Sequence, residues 1–194
     1  MTLDLLRAGL PEQEGKGKSA IRDRAILLVG FFSALRRAEL SALDLGDISE
    51  IPTGLRVEVW GSKTDKKLEG QVVSVPHLPE HPDICPVKAL QEWVVIRPAK
   101  DDALFTSLRT GSRLSAQGVA RVVKRAAKRA GFDPKDFAAH SLRSGFATSA
   151  ARADAAERDI MEVTRHTSER TLRGYIHEAT LGEKHPGRKI AEQE

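Results

Sequence analysis

The sequence predicts a mainly helical α+β domain with one small three-stranded antiparallel sheet near its N-terminal side. Two observations predict it. Apolar residues recur at helical spacing through RDRAILLVGFFSAL and again in segments after Pro86. Between them, from residue 48 to 75, the period shortens to three brief runs rich in β-branched residues. No internal repeat or low-complexity segment interrupts this pattern.

Taken in order, residues 1–18 hold Pro11, three glycines and mixed charge, and read as a loosely ordered leader. Ser19 is placed to cap a helix that starts at Ala20, and a short helix follows over about 37–43. The strands are 48–51, 55–60 and 71–75. Pro52-Thr53-Gly54 turns the first pair, and the polar, cationic loop GSKTDKKLEG joins the second. Helices then return at VKALQEWVVI and at about 115–130, the latter with Gly131 as its C-cap. Further helices are expected over about 140–153 and 155–164, and a last one from 168 carries Tyr175. The chain so divides into a leader (1–18), a domain (19–180) and a tail (181–194).

A chain of 194 residues with 40% hydrophobic content has enough apolar surface for one core. No apolar run reaches the ~18 residues of a membrane span, and the N-terminus lacks a basic-then-apolar export pattern. The single cysteine, Cys85, excludes a disulfide framework and a multi-cysteine metal site. The expectation is a cytoplasmic protein with no membrane association. Net charge is only +4, but Arg121, Lys124, Arg125, Lys128 and Arg129 place five cations in nine residues with no acid among them. Such a stripe neutralises phosphates in a salt-sensitive way, or is simply a solvated helix face.

Three further features carry possible chemistry. His140 and Arg143, in HSLR, sit three apart and share a helix face. Imidazole exchanges a proton near neutral pH and guanidinium forks onto phosphate oxygens, so the pair suits a phosphodiester. Arg36, in ALRRAEL, has Glu39 three residues on to hold it, though a helix-surface ion pair explains that equally. His166 precedes Tyr175 by nine residues, and Tyr175 is the one tyrosine in the chain. A phenol with pKa ~10 needs assistance to act as a nucleophile, and a lone tyrosine is as readily structural.

Arginine, then lysine on a hairpin, then His-x-x-Arg, then histidine, then tyrosine nine residues later resembles the ordered signature of the tyrosine recombinases, the phage integrase family. RDRAILLVGFFSALRRAELSALDLGDI is similar to the family's first box, with Arg36 as the first arginine. HSLRSGFATSAA and IMEVTRHTSERTLRGYI resemble the second, and GSKTDK resembles the hairpin presenting the family's lysine. CPVKALQEWV and LFTSLRTGSRLS also read like integrase sequence, so the likeness spans about residues 21–176.

The resemblance implies the catalytic-domain fold of that family and a site of Arg36, Lys63, His140, Arg143, His166 and Tyr175, with Glu39 in support. Arg36, Arg143 and His166 would hold the scissile phosphate, and Tyr175 would attack it to give a 3′-phosphotyrosyl link. Lys63 would protonate the leaving 5′-oxygen, and His140 would assist proton transfer at Tyr175. Lys66 and Lys67 share the loop and remain alternatives to Lys63, which stands in the SKTD form common to phage-type members. No cofactor or metal is implied. The partners implied are double-stranded DNA, contacted by Arg121, Lys124, Arg125 and Lys128, and further copies of the chain, as a tetramer on paired sites. A topoisomerase-like strand relaxation and a non-catalytic DNA-binding remnant are the competing expectations.

Three departures stand out. Arg165 occupies a position, read as a helix start, where relatives usually carry glycine. Ala153-Asp154 replaces a common Ala-Gly turn. Only about twenty residues precede the first box, so the family's N-terminal clamp domain is expected to be absent and DNA binding weak and salt-sensitive.

Overall fold

A helix that is apolar around most of its circumference has to sit at the centre of a structure. Helix α2 (Lys18–Phe32) does so, with the consecutive residues from Arg22 to Phe31 all buried. The structure is a computed structural model that describes residues 1–11, 17–61, 70–98, 100–137, 141–165 and Gly174. Around α2, in chain order, lie α1 (Leu3–Gly9), α3 (Arg37–Ala42), the strands β1 (Ile48–Ile51), β2 (Gly54–Val59) and β3 (Gln71–Pro76), then α4 (Pro86–Ile96), α5 (Ala116–Arg129), α6 (Ser141–Arg152) and α7 (Glu157–Thr164). α2 begins at Lys18, two residues before the position expected. Gly17 is its N-cap and contributes no side chain, so Ser19 lies inside the first turn rather than capping it.

The sheet is antiparallel in the order β1-β2-β3, with Ile51 opposite Gly54 and Val59 opposite Gln71. Successive side chains alternate between its faces. Leu55, Val57, Val59, Val73 and Val75 point inward and are buried, while Val72 on the other face is exposed. Helix α4, with Pro86 in its first turn, packs against α2 and brings Trp93 into the core. Trp93 is fully buried, and its indole N–H donates to the Leu104 carbonyl at 2.8 Å, which satisfies the one polar atom it brings inside.

Residues 1–18 require a correction. Over the described residues 1–11 they are not a loose leader: α1 packs against α5 and α6, and Leu6 is fully buried. The fit is close. A Cβ on Gly9 would lie 2.4 Å from the Ala126 carbonyl oxygen, and one on Gly145 only 1.6 Å from the Met1 carbonyl oxygen. The Leu3 N–H donates to Ser149 Oγ at 2.9 Å and Arg129 Nε donates to the Gly9 carbonyl at 2.8 Å. A seven-residue helix cannot hold itself together in water, so its stability comes from this docking and leaves little local signal.

Helix α5 ends as its sequence predicts. Ala130 is the C-cap, Gly131 takes φ 85, and the N–H groups of Gly131 and Phe132 donate to Lys128 and Ala127. This is a Schellman closure, which needs a left-handed residue at Gly131. At the other end Ser115 accepts from the Gly118 N–H at 3.1 Å.

Candidate active site

The site begins at the corner between α2 and α3. Ala34 takes φ 47 there, and Arg36 follows in extended conformation as the N-cap of α3. Three residues into the helix, Glu39 turns back. Its Oε2 accepts the Arg36 backbone N–H at 2.8 Å, and its Oε1 accepts from Arg36 Nη1 at 2.7 Å. The Glu39 side chain is 5% exposed against 23% for Arg36, so the carboxylate is the buried holder and the guanidinium keeps access to solvent. Arg113 secures the far end of α3 by donating from Nη1 to the carbonyls of Ser41, Ala42 and Leu43.

Arg143, in the first turn of α6, comes to the same corner. It is buried and donates from Nη1 to the Ala34 carbonyl at 3.2 Å. The two arginines expected from separate boxes, more than a hundred residues apart, thus meet at one turn.

A third arginine was not among the expected site residues. Arg165 is the C-cap of α7 in left-handed conformation, φ 54 and ψ 42, so this position closes a helix rather than starting one. A left-handed helix end is where glycine adds no strain. Asp154, in place of the Ala-Gly turn, likewise takes φ 58. The Arg165 side chain is 7% exposed. Its Nη2 donates to Glu39 Oε2 at 2.6 Å and its Nη1 to Gln71 Oε1 at 3.3 Å. Burial alone would raise the Glu39 carboxyl. The Arg165 guanidinium and the hydrogen bonds from Arg36 and Arg165 outweigh it, and hold the group below its ordinary range. No local pattern marks Gln71. Arg165 could have been flagged by its place at a glycine position.

Lys63, His140, His166 and Tyr175 lie outside the described residues. Three of their points of attachment are described. The lysine loop leaves the sheet after Gly61 and rejoins it at Gly70, beside Gln71. Trp60 braces that neck: its ring lies over Gly70, and its Nε1 donates to Asp47 Oδ1 at 3.1 Å. His140 directly precedes α6, and His166 directly follows Arg165. The bonds of Arg143 and Arg165 therefore draw the start of α6, the end of α7 and the foot of the hairpin toward the α2–α3 corner.

The cationic stripe divides in two. Arg121, Lys124 and Lys128 are exposed on α5, opposite the buried Val119, Val122, Val123, Ala126 and Ala127. Arg125 differs, because its Nη2 is held by Asp23 Oδ2 at 2.5 Å. Arg121 and Lys124 line an open groove with Arg37, Gln117, Ala120, Lys135 and Phe137. Arg37, the residue after Arg36, is one of the side chains lining that groove. Among the described residues no cluster of three or more His, Cys, Asp or Glu is arranged to hold a metal ion, and no helix is long and apolar enough to cross a membrane.

Comparison with known proteins gives the family. Residues 9–181 match the phage integrase family. The chain is 37% identical over 169 residues to the integrase/recombinase XerD homolog of Selenomonas ruminantium, covering 84% of this chain and 49% of that protein. It is 32% identical to tyrosine recombinase XerD of Corynebacterium glutamicum, covering 89% of this chain and 54% of the relative. The chain thus spans about half the length of the curated relatives it matches. In structure it resembles the XerH site-specific recombinase in its post-cleavage complex with palindromic difH substrate, with a TM-score of 0.72 at 23% identity over 95% of this chain and 53% of that one. The chain belongs to the phage integrase family, that of the tyrosine recombinases, and has the fold of its catalytic domain.

Proposed function

We propose that this chain is the catalytic part of a site-specific DNA recombinase that cuts and rejoins strands through a covalent link to Tyr175. The observation that supports it is the meeting of Arg36 and Arg143 at one corner, with Glu39 buried behind the more open guanidinium. Two guanidinium forks held before the substrate arrives suit a phosphodiester whose charge grows in the transition state.

In the proposed reaction the Tyr175 oxygen attacks phosphorus and the bond to the 5′-oxygen breaks. The phenolic proton passes toward His140, and Lys63 gives a proton to the leaving 5′-hydroxyl. His166 adds a donor to the same phosphate. The 3′-phosphotyrosyl bond retains the energy of the bond that was broken, so attack by a 5′-hydroxyl rejoins the strand without ATP, and the scheme calls for no metal. Double-stranded DNA is the substrate, with Arg121, Lys124 and Lys128 on its backbone. Further copies of the chain assemble as a tetramer on paired sites. The place of action is the cytoplasm, at the nucleoid.

The test is covalent capture. The protein is incubated with nicked suicide duplexes drawn from a random-sequence pool and resolved under denaturing conditions, beside Tyr175→Phe. A protein–DNA adduct lost in the variant is the expected result. No adduct from the wild type, even with a family clamp domain fused to its N-terminus, would overturn the reading in favour of a non-catalytic DNA-binding domain.

A further inference from the structure

We propose that Arg165 is a positioning residue of the active site, which couples Arg36 to the foot of the lysine hairpin through one buried guanidinium. The proposal rests on the recombinase reading above. Three observations carry it, and two of them run against what the position itself favours.

The backbone at Arg165 is left-handed, where any side chain beyond Cα adds strain and glycine adds none. The guanidinium is also withdrawn from water, and its Nε has no acceptor among the described residues. An arginine here therefore carries two costs that glycine would avoid. What it gains is reach. Nη2 bonds the same Glu39 oxygen that accepts the Arg36 backbone N–H, and Nη1 bonds Gln71, the first residue of β3 and the partner of Val59 across the hairpin neck.

The result is one connected chain, Arg36 to Glu39 to Arg165 to Gln71, that crosses α3, the end of α7 and β3. With glycine at 165, Glu39 would have only Arg36 and its backbone to hold it. The carboxylate could then rotate, and the Arg36 guanidinium with it. Arginine is also the side chain whose planar fork can satisfy two acceptors on different elements at once. Because His166 is the next residue, the same contact anchors the segment from which that side chain departs.

The experiment compares Arg165→Gly and Arg165→Lys with wild type on a suicide duplex captured by the wild-type protein. Cleavage rate at saturating DNA and DNA affinity are measured separately. Arg165→Gly removes the backbone strain and should cleave about 10²-fold more slowly, the scale of a misplaced reacting group. Its DNA affinity should change little. Arg165→Lys keeps a cation for Glu39 without the fork and should recover part of the rate. If Arg165→Gly does not fold, Arg165→Lys carries the comparison, and its cleavage should fall between wild type and background.

The tie is also read without DNA, as a double-mutant cycle of Arg165→Met and Glu39→Gln in denaturant unfolding. The unfolding equilibrium of the double variant should depart about fivefold or more from the product of the single effects. Additive effects, wild-type cleavage by Arg165→Gly, or equal loss of rate and affinity would each overturn the positioning role. A coupled pair in a protein whose wild type forms no adduct would overturn the recombinase reading, and the positioning role with it.

Discussion

Among the described residues two buried carboxylates are each gripped by two arginines, and their bonds lead to different places. Asp23 accepts from Arg22 Nη2 at 2.8 Å and from Arg125 Nη2 at 2.5 Å; Glu39 accepts from Arg36 Nη1 at 2.7 Å and from Arg165 Nη2 at 2.6 Å. Both acids are nearly closed to solvent, at 7% and 5% exposure. The Asp23 pair fastens α2 to α5, and Arg22 also reaches toward the Thr106 carbonyl, so its bonds end inside the scaffold. The Glu39 pair ends on Arg36 at the α2–α3 corner. Burying such charges returns little net stability once desolvation is counted, but it fixes geometry. The same electrostatic device thus serves the fold at one place and, in the proposed reaction, the active site at the other.

Several experiments break or sharpen that contrast. The largest effect is expected at the two arginines proposed to bind the phosphate: Arg36→Ala and Arg143→Ala should each slow adduct formation by about 10²–10³-fold in single-turnover cleavage. Arg143→Ala should also lower the unfolding midpoint, because it empties a buried site that Arg36→Ala does not. Next, Asp23→Ala should cost about 3 kcal/mol in urea unfolding, since it strands the largely buried Arg22. Cleavage per folded molecule at saturating DNA should stay near wild type. A rate loss as deep as that of Arg36→Ala would erase the contrast between the two clusters.

A smaller stability loss, about 2 kcal/mol, is expected for Gly145→Ala, whose methyl group would collide with the Met1 carbonyl and push α1 off α6. Thermal unfolding beside Ser149→Ala, which removes only the hydrogen bond to Leu3, separates overpacking from the lost bond. On the groove, Arg121→Ala and Lys124→Ala should weaken DNA binding modestly and each lower the slope of log affinity against log salt by about 1. An unchanged slope would return the stripe to a solvated helix face.

The least effect is a pH dependence. The Glu39 carboxyl lies below its ordinary value of 4.5 in the folded protein. Its pairing therefore adds stability that is complete above that value and is lost as pH falls through the lower folded-state value. The stability gap between wild type and Glu39→Gln should shrink on acidification through that window, as followed by unfolding at several pH values. A constant gap would mean that the cations do not set the carboxyl's charge.

Much of this was legible from local pattern. The change from helical to alternating period located the sheet to within a residue or so at each end, because one buried face imposes that spacing on each strand. Gly131 marked the end of α5 because few other residues close a helix that way. Arg36 and Glu39 were readable as a pair because three residues on a helix is contact distance. The docking of α1 was not readable, since its evidence is the absence of a side chain at Gly145 and Gly9, far along the chain and on the facing helix. Nor was the capture of Arg125 by Asp23, 102 residues away, which with the bond from Arg129 to the Gly9 carbonyl takes two members out of the stripe.

The sequence by itself determined the kinds of element, the order of the reactive side chains and the family to which they belong, because these depend on spacings of a few residues and on residue type. Packing settled which cations stay exposed on α5 and which hold the fold. It also decided that Arg165, set where glycine would be easier, turns inward to bind Glu39 and Gln71. Those bonds join residues 126 and 94 positions apart. No local period encodes such pairs; they form when packing brings two elements together and leaves a buried charge that must be met.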